Sequence, residues 1–127
     1  MTPRVTVEHV FGALDTVEIV VTLPTFRRPD HLIRTLDTLA AQTTSRPFAI
    51  VVMENDDERL EGREAARAWF ERTGQTGIVI VAHERGNCSA YNAGWETALN
   101  HCPAMGHLLV IDDDELAIPE WIERMVA

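Results

Sequence analysis

Three runs of β-branched and aliphatic residues, each closed by a polar or turn-forming cluster and followed by a helical pattern, constrain the fold of this chain more than any other feature. Val17 to Leu23 (VEIVVTL) ends at Pro24, Phe48 to Met53 (FAIVVM) at an acidic cluster, and Ile78 to Ala82 at a polar loop. Continuous apolar runs of this length read as strands buried on both faces. The helix after the first run opens near Pro29, since proline suits a first helical turn, and carries Leu32, Ile33, Leu36, Leu39 and Ala40 on one face. A charged helix over Leu60 to Arg72 follows the second run, with Leu60, Ala66, Trp69 and Phe70 on its packing side. A small-residue helix from about Ser89 to Asn100 follows the third. A fourth strand, His107 to Ile111, leads to a helix starting near Pro119. Strands alternating with helices predict an α/β fold, an open parallel sheet with helices packed on its faces. Arg4 to Val10 also alternates like a strand but has no evident partner, and it is left unassigned.

No linker or repeat divides the 127 residues, so residues 1–127 are read as one domain, long enough to bury a core. Cys88 and Cys102 are too few for a disulfide framework and lack zinc-site spacing, so they read as free thiols of a reducing compartment. No apolar run approaches the length needed to cross a bilayer and no signal-peptide pattern opens the chain, which makes the cytoplasm the default location. Twenty acidic residues against eleven basic ones give a formal charge of −9, which argues against nucleic-acid binding. A phosphorylated ligand would need a cation, a local basic group or helix N-terminal amides to offset that repulsion.

In open sheets of this kind ligands sit beyond the carboxyl ends of the strands. The unusual residues collect there: Pro24, Thr25, Phe26, Arg27 and Arg28 after the first strand, Glu54, Asn55, Asp56 and Asp57 after the second, Arg85, Gly86 and Asn87 after the third, and Asp112, Asp113, Asp114 and Glu115 after the fourth. Four consecutive carboxylates are costly to crowd together unless water or a cation screens them. In an extended chain Asp112 and Asp114 would point to one side and Asp113 to the other. Two hard oxygen ligands on one side suit Mg2+ or Mn2+, whereas a solvated acidic turn capping the next helix explains the same residues. The set around Glu54 could read a base edge or ribose hydroxyls, or could simply form a turn. Arg27 and Arg28 could meet phosphate or start a solvated helix. Tyr91 and Trp95 read as aromatic packing on a short helix, and the scattered His83, His101 and His107 as non-ligands.

Four segments carry a resemblance to a known family. Val20 to Leu39 (VVTLPTFRRPDHLIRTLDTL) resembles the opening strand, turn and helix of the family 2 glycosyltransferases. Ile50 to Asp57 (IVVMENDD) is similar to their acid-terminated strand. Glu84 to Ala98 (ERGNCSAYNAGWETA) is similar to their Asn-x-Gly-x-x-x-Ala-Arg-Asn-x-Gly segment, with Tyr91 at the Arg position, and Leu108 to Ile122 (LLVIDDDELAIPEWI) to their DXD stretch. The resemblance covers about Val17 to Val126. It implies a GT-A, Rossmann-like, mainly parallel sheet, incomplete relative to a full GT-A domain because the acceptor-binding half follows the DXD stretch. On it, Pro24, Thr25 and Phe26 would line a base pocket with Glu54 contacting the base, and Asp113, together with Asp112, would sit near the ribose. Asn92 would match the Asn of the third helix, and Asp114 with Asp112 would hold Mn2+ or Mg2+ against the diphosphate. The implied activity is inverting transfer of a sugar from a nucleoside-diphosphate sugar, UDP-sugar favoured, to an acceptor the sequence does not identify. The general base would lie in a C-terminal segment. The alternative is a truncated, non-catalytic module that works through nucleotide or protein association, with self-association through surface left uncovered. A nucleotidyltransferase shares the sheet and the carboxylates but has a Gly-rich first loop, which is absent after Leu23.

Overall fold

The computed structural model describes residues 4–127. Its elements run β1 (Val5–Phe11), β2 (Ile19–Thr25), α1 (Pro29–Ala40), β3 (Phe48–Glu54), α2 (Glu61–Thr73), β4 (Gly77–Ala82), α3 (Asn87–His101), β5 (His107–Val110) and α4 (Trp121–Val126). The five strands form one sheet in the order β1-β4-β3-β2-β5. β5, β2, β3 and β4 are parallel, and β1 closes one edge antiparallel to β4. The expected α/β, mainly parallel sheet is therefore present. The unassigned N-terminal segment is its antiparallel edge strand, Val5 pairing with Ala82 and Phe11 with Gly77.

The sheet is covered on both faces, which is why its central strands carry no polar alternation. Ile19, Val21, Leu23, Ile50, Val52 and Val79 pack with Leu32, Leu36 and Leu39 of α1, Ala66, Trp69 and Phe70 of α2, and Ile122 of α4. Val20, Ala49, Val51, Met53, Ile78 and Ile80 meet Ala90, Ala93 and Ala98 of α3. α3 lies close because its packing face is small. A Cβ on Gly94 would stand 2.6 Å from the Met53 sulfur. Trp69 is buried, and its indole N–H donates to Asp37 Oδ1 at 2.9 Å, tying α2 to α1. Burying a side chain of this size contributes about 1.5–3 kcal/mol.

Helix ends follow local chemistry. Pro29 occupies the first turn of α1, and Gly74 at φ 72° ends α2 by donating its N–H to Phe70 O. Ala40 is exposed, so the buried stripe of α1 is Leu32, Thr35, Leu36 and Leu39. Among the described residues no helix is long and apolar enough to cross a membrane.

Candidate functional site

Parallel strands bring their carboxyl ends to one edge of the sheet, and a cleft of about 180 Å3 opens there. Pro24, Thr25 and Phe26 line it from the end of β2, with Arg28 from the turn into α1. Asn55 follows β3, Asn87 opens α3, and Asp112, Asp113 and Asp114 follow β5. A smaller hollow behind the acidic turn is lined by His31, Arg34, Asp113, Asp114 and Leu116.

Asp113 is the structural centre of the cleft. It is 2% exposed, accepts the Thr25 hydroxyl at 3.0 Å on Oδ2, and takes the Arg28 guanidinium on Oδ1. Its backbone carbonyl accepts the Thr35 hydroxyl from α1. Burial pushes the Asp113 carboxyl above its ordinary value, against the opposing pull of Thr25 and Arg28. Asp112 is half-buried. Its Oδ1 accepts the Tyr91 hydroxyl from α3, and its backbone N–H donates to Glu115 Oε1 at 2.8 Å. Burial and then Asp112 push the Tyr91 phenol up, so it remains a neutral donor. Asp114 is exposed on the cleft wall.

The extended-chain expectation for this acidic stretch is corrected. β5 ends at Val110, and Asp113 and Asp114 form a turn closed by Glu115 N–H to Asp112 O at 3.1 Å. A turn lets all three aspartates reach one cleft, where strand alternation would have sent Asp113 away.

Two residues expected at the site lie elsewhere. Glu54 is completely buried and outside the cleft. Its Oε1 accepts the backbone N–H of Gly62 at 2.9 Å and of Arg63 at 3.1 Å, at the first turn of α2. Strand parity is the cause, because Glu54 shares a face with Ile50 and Val52, which look toward α2. Desolvation pushes its carboxyl up although the helix amides pull it down. Asn92 is exposed and lines no part of the cleft, and its neighbour Tyr91 is the α3 residue that reaches the acidic turn.

Asn87 belongs to the polar stretch expected at the sheet edge after the third strand, and the sequence offers Asn55 only as one of a turn-forming set. Asn55 holds the back of the cleft together. Its amide donates to Ala82 O at 3.0 Å and Glu84 O at 2.7 Å, and its Oδ1 accepts Gly86 N–H at 2.9 Å. The long-range pairing that makes it useful has no local signature.

Among the described residues no group of three or more His, Cys, Asp or Glu side chains is arranged to hold a metal ion. Asp113 has both oxygens engaged and Asp112 one, which leaves the second oxygen of Asp112 and the Asp114 carboxylate unengaged among the described residues, on two residues that line the cleft. That donor set does not suit an all-protein cage. It does fit a magnesium-like cation, which commonly binds through one or two carboxylates and completes its shell with a ligand's phosphates and water.

The sequence model described as Glycosyl transferase family 2 matches residues 20–127. The chain belongs to glycosyltransferase family 2. Solved structures of similar fold include residues 1–349 of S. aureus TarS in complex with UDP, at a TM-score of 0.68 and 17% identity over 87% of this chain and 31% of that one. A mannosyltransferase from Pyrobaculum calidifontis in complex with GDP-Man and Mn2+ gives 0.59 and 21%, over 86% of this chain and 32% of that one. At these identities the likeness carries the fold, the GT-A sheet expected from the sequence. This family 2 chain spans about a third of the length of either of those solved chains. No curated protein matches it in sequence.

Proposed function

We propose that the cleft binds the nucleoside diphosphate of a nucleotide sugar together with Mn2+ or Mg2+, and that the site serves glycosyl transfer to an acceptor. The observation that carries this reading is the junction of one apolar wall and one acidic turn. Pro24 and Phe26 face Asp112, Asp113 and Asp114 across a single cleft at the carboxyl end of a parallel sheet. The apolar wall suits a base, and Phe26, at 36% exposure, leaves ring surface for it. Thr25 and Asp113, already bonded to each other, present oxygen acceptors to ribose hydroxyls. Asp112 and Asp114 would hold the cation. Arg28, which lines the cleft while paired to Asp113, supplies the local positive charge that a diphosphate needs in a chain of net charge −9.

When bound, the divalent ion acts as a Lewis acid that offsets charge on the departing diphosphate. The residues of this chain then have three tasks: to orient the base against Phe26, to fix the ribose at Asp113, and to present Asp112 and Asp114 to the cation. Inversion at the anomeric carbon belongs to the same proposal. Calorimetric titration with UDP and with GDP, each with Mn2+ and with Mg2+, tests it. Metal-dependent heat for one nucleotide is the expected result, and no heat in any of the four titrations would sink the reading.

A second reading, association through apolar surface, is favoured by Val110, Leu116, Ile118 and Met125. They are 41%, 67%, 47% and 53% exposed on and after edge strand β5. Sedimentation over a range of concentrations tests it, with a strict monomer counting against it.

A further inference from the structure

Arg27 lies at φ 55°, in the left-handed region where a long side chain is seldom found and glycine or asparagine is the low-cost choice. Such a conformation persists only where its surroundings hold it, and held strain concentrates at functional sites. Here the holding group is Asp56, a carboxylate 1% exposed that does not itself line the cleft. Its Oδ2 accepts the Arg27 Nε–H at 2.8 Å, and its Oδ1 accepts the backbone N–H of Glu58 at 3.1 Å.

The Arg27 guanidinium in turn lies 5.0 Å from the centre of the Phe26 ring. A second guanidinium, Arg85 from the loop between β4 and α3, lies 4.9 Å from the same centre. Its Nη2 is 4.0 Å from Asp56 Oδ1 and 3.8 Å from Glu58 Oε1. Two arginines from separate loops thus meet one ring of the cleft wall, and one buried carboxylate is within reach of both. Guanidinium groups at this distance from a ring are attracted by its quadrupole, so the ring is held in one attitude.

We propose that Asp56 is a positioning residue for the nucleobase: through Arg27 and Arg85 it fixes the Phe26 ring as the surface against which the base lies. The proposal rests on the nucleotide reading of the cleft. A ring ordered before the ligand arrives leaves less to be ordered on binding, and this preorganisation is what Asp56 contributes. Asp56 touches no ligand, so its removal should affect the base and spare the diphosphate.

The test uses Asp56→Asn and Arg27→Gly. Glycine adopts φ 55° without strain, so the second variant keeps the turn while removing the guanidinium, and it guards against a folding defect in the first. Two measurements are made. The ring signals of Phe26 are followed by NMR without ligand, and affinities for UDP and for pyrophosphate, each with Mn2+, are measured by calorimetry. Both variants should move the Phe26 signals and weaken UDP binding about tenfold while leaving pyrophosphate binding as in the parent. UDP binding by both variants within about twofold of the parent overturns the proposal, and so does an equal loss for pyrophosphate, which would mean general damage to the cleft. A parent that binds neither UDP nor GDP refutes the nucleotide reading itself and this inference with it. Failure of the inference alone shows as a binding parent whose variants bind equally well.

Discussion

Gly62 lies in the first turn of α2, outside the cleft, yet a single methyl group there should reach the site. An ideal Cβ at this position would stand 2.7 Å from Thr25 Cγ2, 3.2 Å from Glu54 Oε1 and 3.3 Å from Glu54 Oε2. The first contact is too short to survive, and Thr25 is 3% exposed at the end of the interior strand β2, so it cannot retreat into solvent. Rotating its side chain would relieve the clash but take the hydroxyl off Asp113. Overpacking of this kind costs about 1–3 kcal/mol, and a hydrogen bond to a charged group is worth about 1.5–3 kcal/mol. Replacing glycine by alanine in a helix returns up to about 1 kcal/mol. The steric term wins, and Gly62→Ala should lose about 1–2 kcal/mol in urea denaturation, with a melting temperature lower by about 4–10 °C. Thr25→Ser removes the offending Cγ2 and keeps the hydroxyl. In the double variant the two changes should therefore couple by about 1 kcal/mol or more, recovering most of the loss. A Gly62→Ala protein more stable than the parent would show that helix propensity dominates. Simple additivity with Thr25→Ser would show that the strain goes elsewhere. Either result refutes the reasoning.

Asp114→Asn should weaken Mn2+-dependent UDP binding by about tenfold or more, with folding intact or slightly improved by relief of repulsion from Asp112, Asp113 and Glu115; equal affinities in calorimetry would remove Asp114 from the site. Glu54→Gln should alter the pH dependence of stability. Because burial raises the folded-state pKa of Glu54, the native state binds the proton more readily than the unfolded chain, so stability falls as pH rises from the ordinary glutamate range, about 4.3, through the raised value. The glutamine variant lacks this loss and should gain on the parent between acidic and neutral pH, and a pH-independent difference in urea midpoints would contradict the burial penalty. Tyr91→Phe removes only the hydroxyl that bonds Asp112 and should cost about 1 kcal/mol in the same assay, an unchanged midpoint counting against that bond.

Much of the architecture was legible because it is locally encoded. Val20, Val21, Ala49, Ile50, Val51 and Val52 are all fully buried, and runs of that kind between helical patterns leave little besides a parallel sheet. The start of α1 was readable from Pro29, whose fixed φ and missing N–H suit a first turn. β1 was readable only as a strand-like alternation over Arg4 to Val10 with no evident partner. Its partner β4 lies some seventy residues away, its register shifts between Val7 and His9, and Val7 and Val10 stay 42% and 50% exposed. Such a strand takes its identity from a pairing that no local pattern announces. At the site, Pro24, Thr25 and Phe26 could be placed from the strand that precedes them. The swap of Glu54 for Asn55 on the cleft wall could not, because it depends on where β3 stops pairing.

That stopping point explains why two acidic clusters that look alike in sequence are used differently. β3 pairs in register to its last residue, so Glu54 lies beside Thr25 and sends its side chain under α2. β5 pairs with β2 only as far as Thr22 and Val110, and the Ile111 N–H makes the last bond, to Thr22 O. Three residues further along each chain are Thr25 and Asp113. Continued register would set them side by side, and although the backbone has turned by then, the Thr25 hydroxyl still reaches Asp113. Thr25 thus stands between two buried carboxylates, each pushed above its ordinary value by desolvation. Its hydroxyl serves Asp113, and its methyl group fills the space that Gly62 leaves beside Glu54. Serine would keep the bond and open a void, valine would keep the packing and leave Asp113 one donor short, and threonine alone of the three meets both demands.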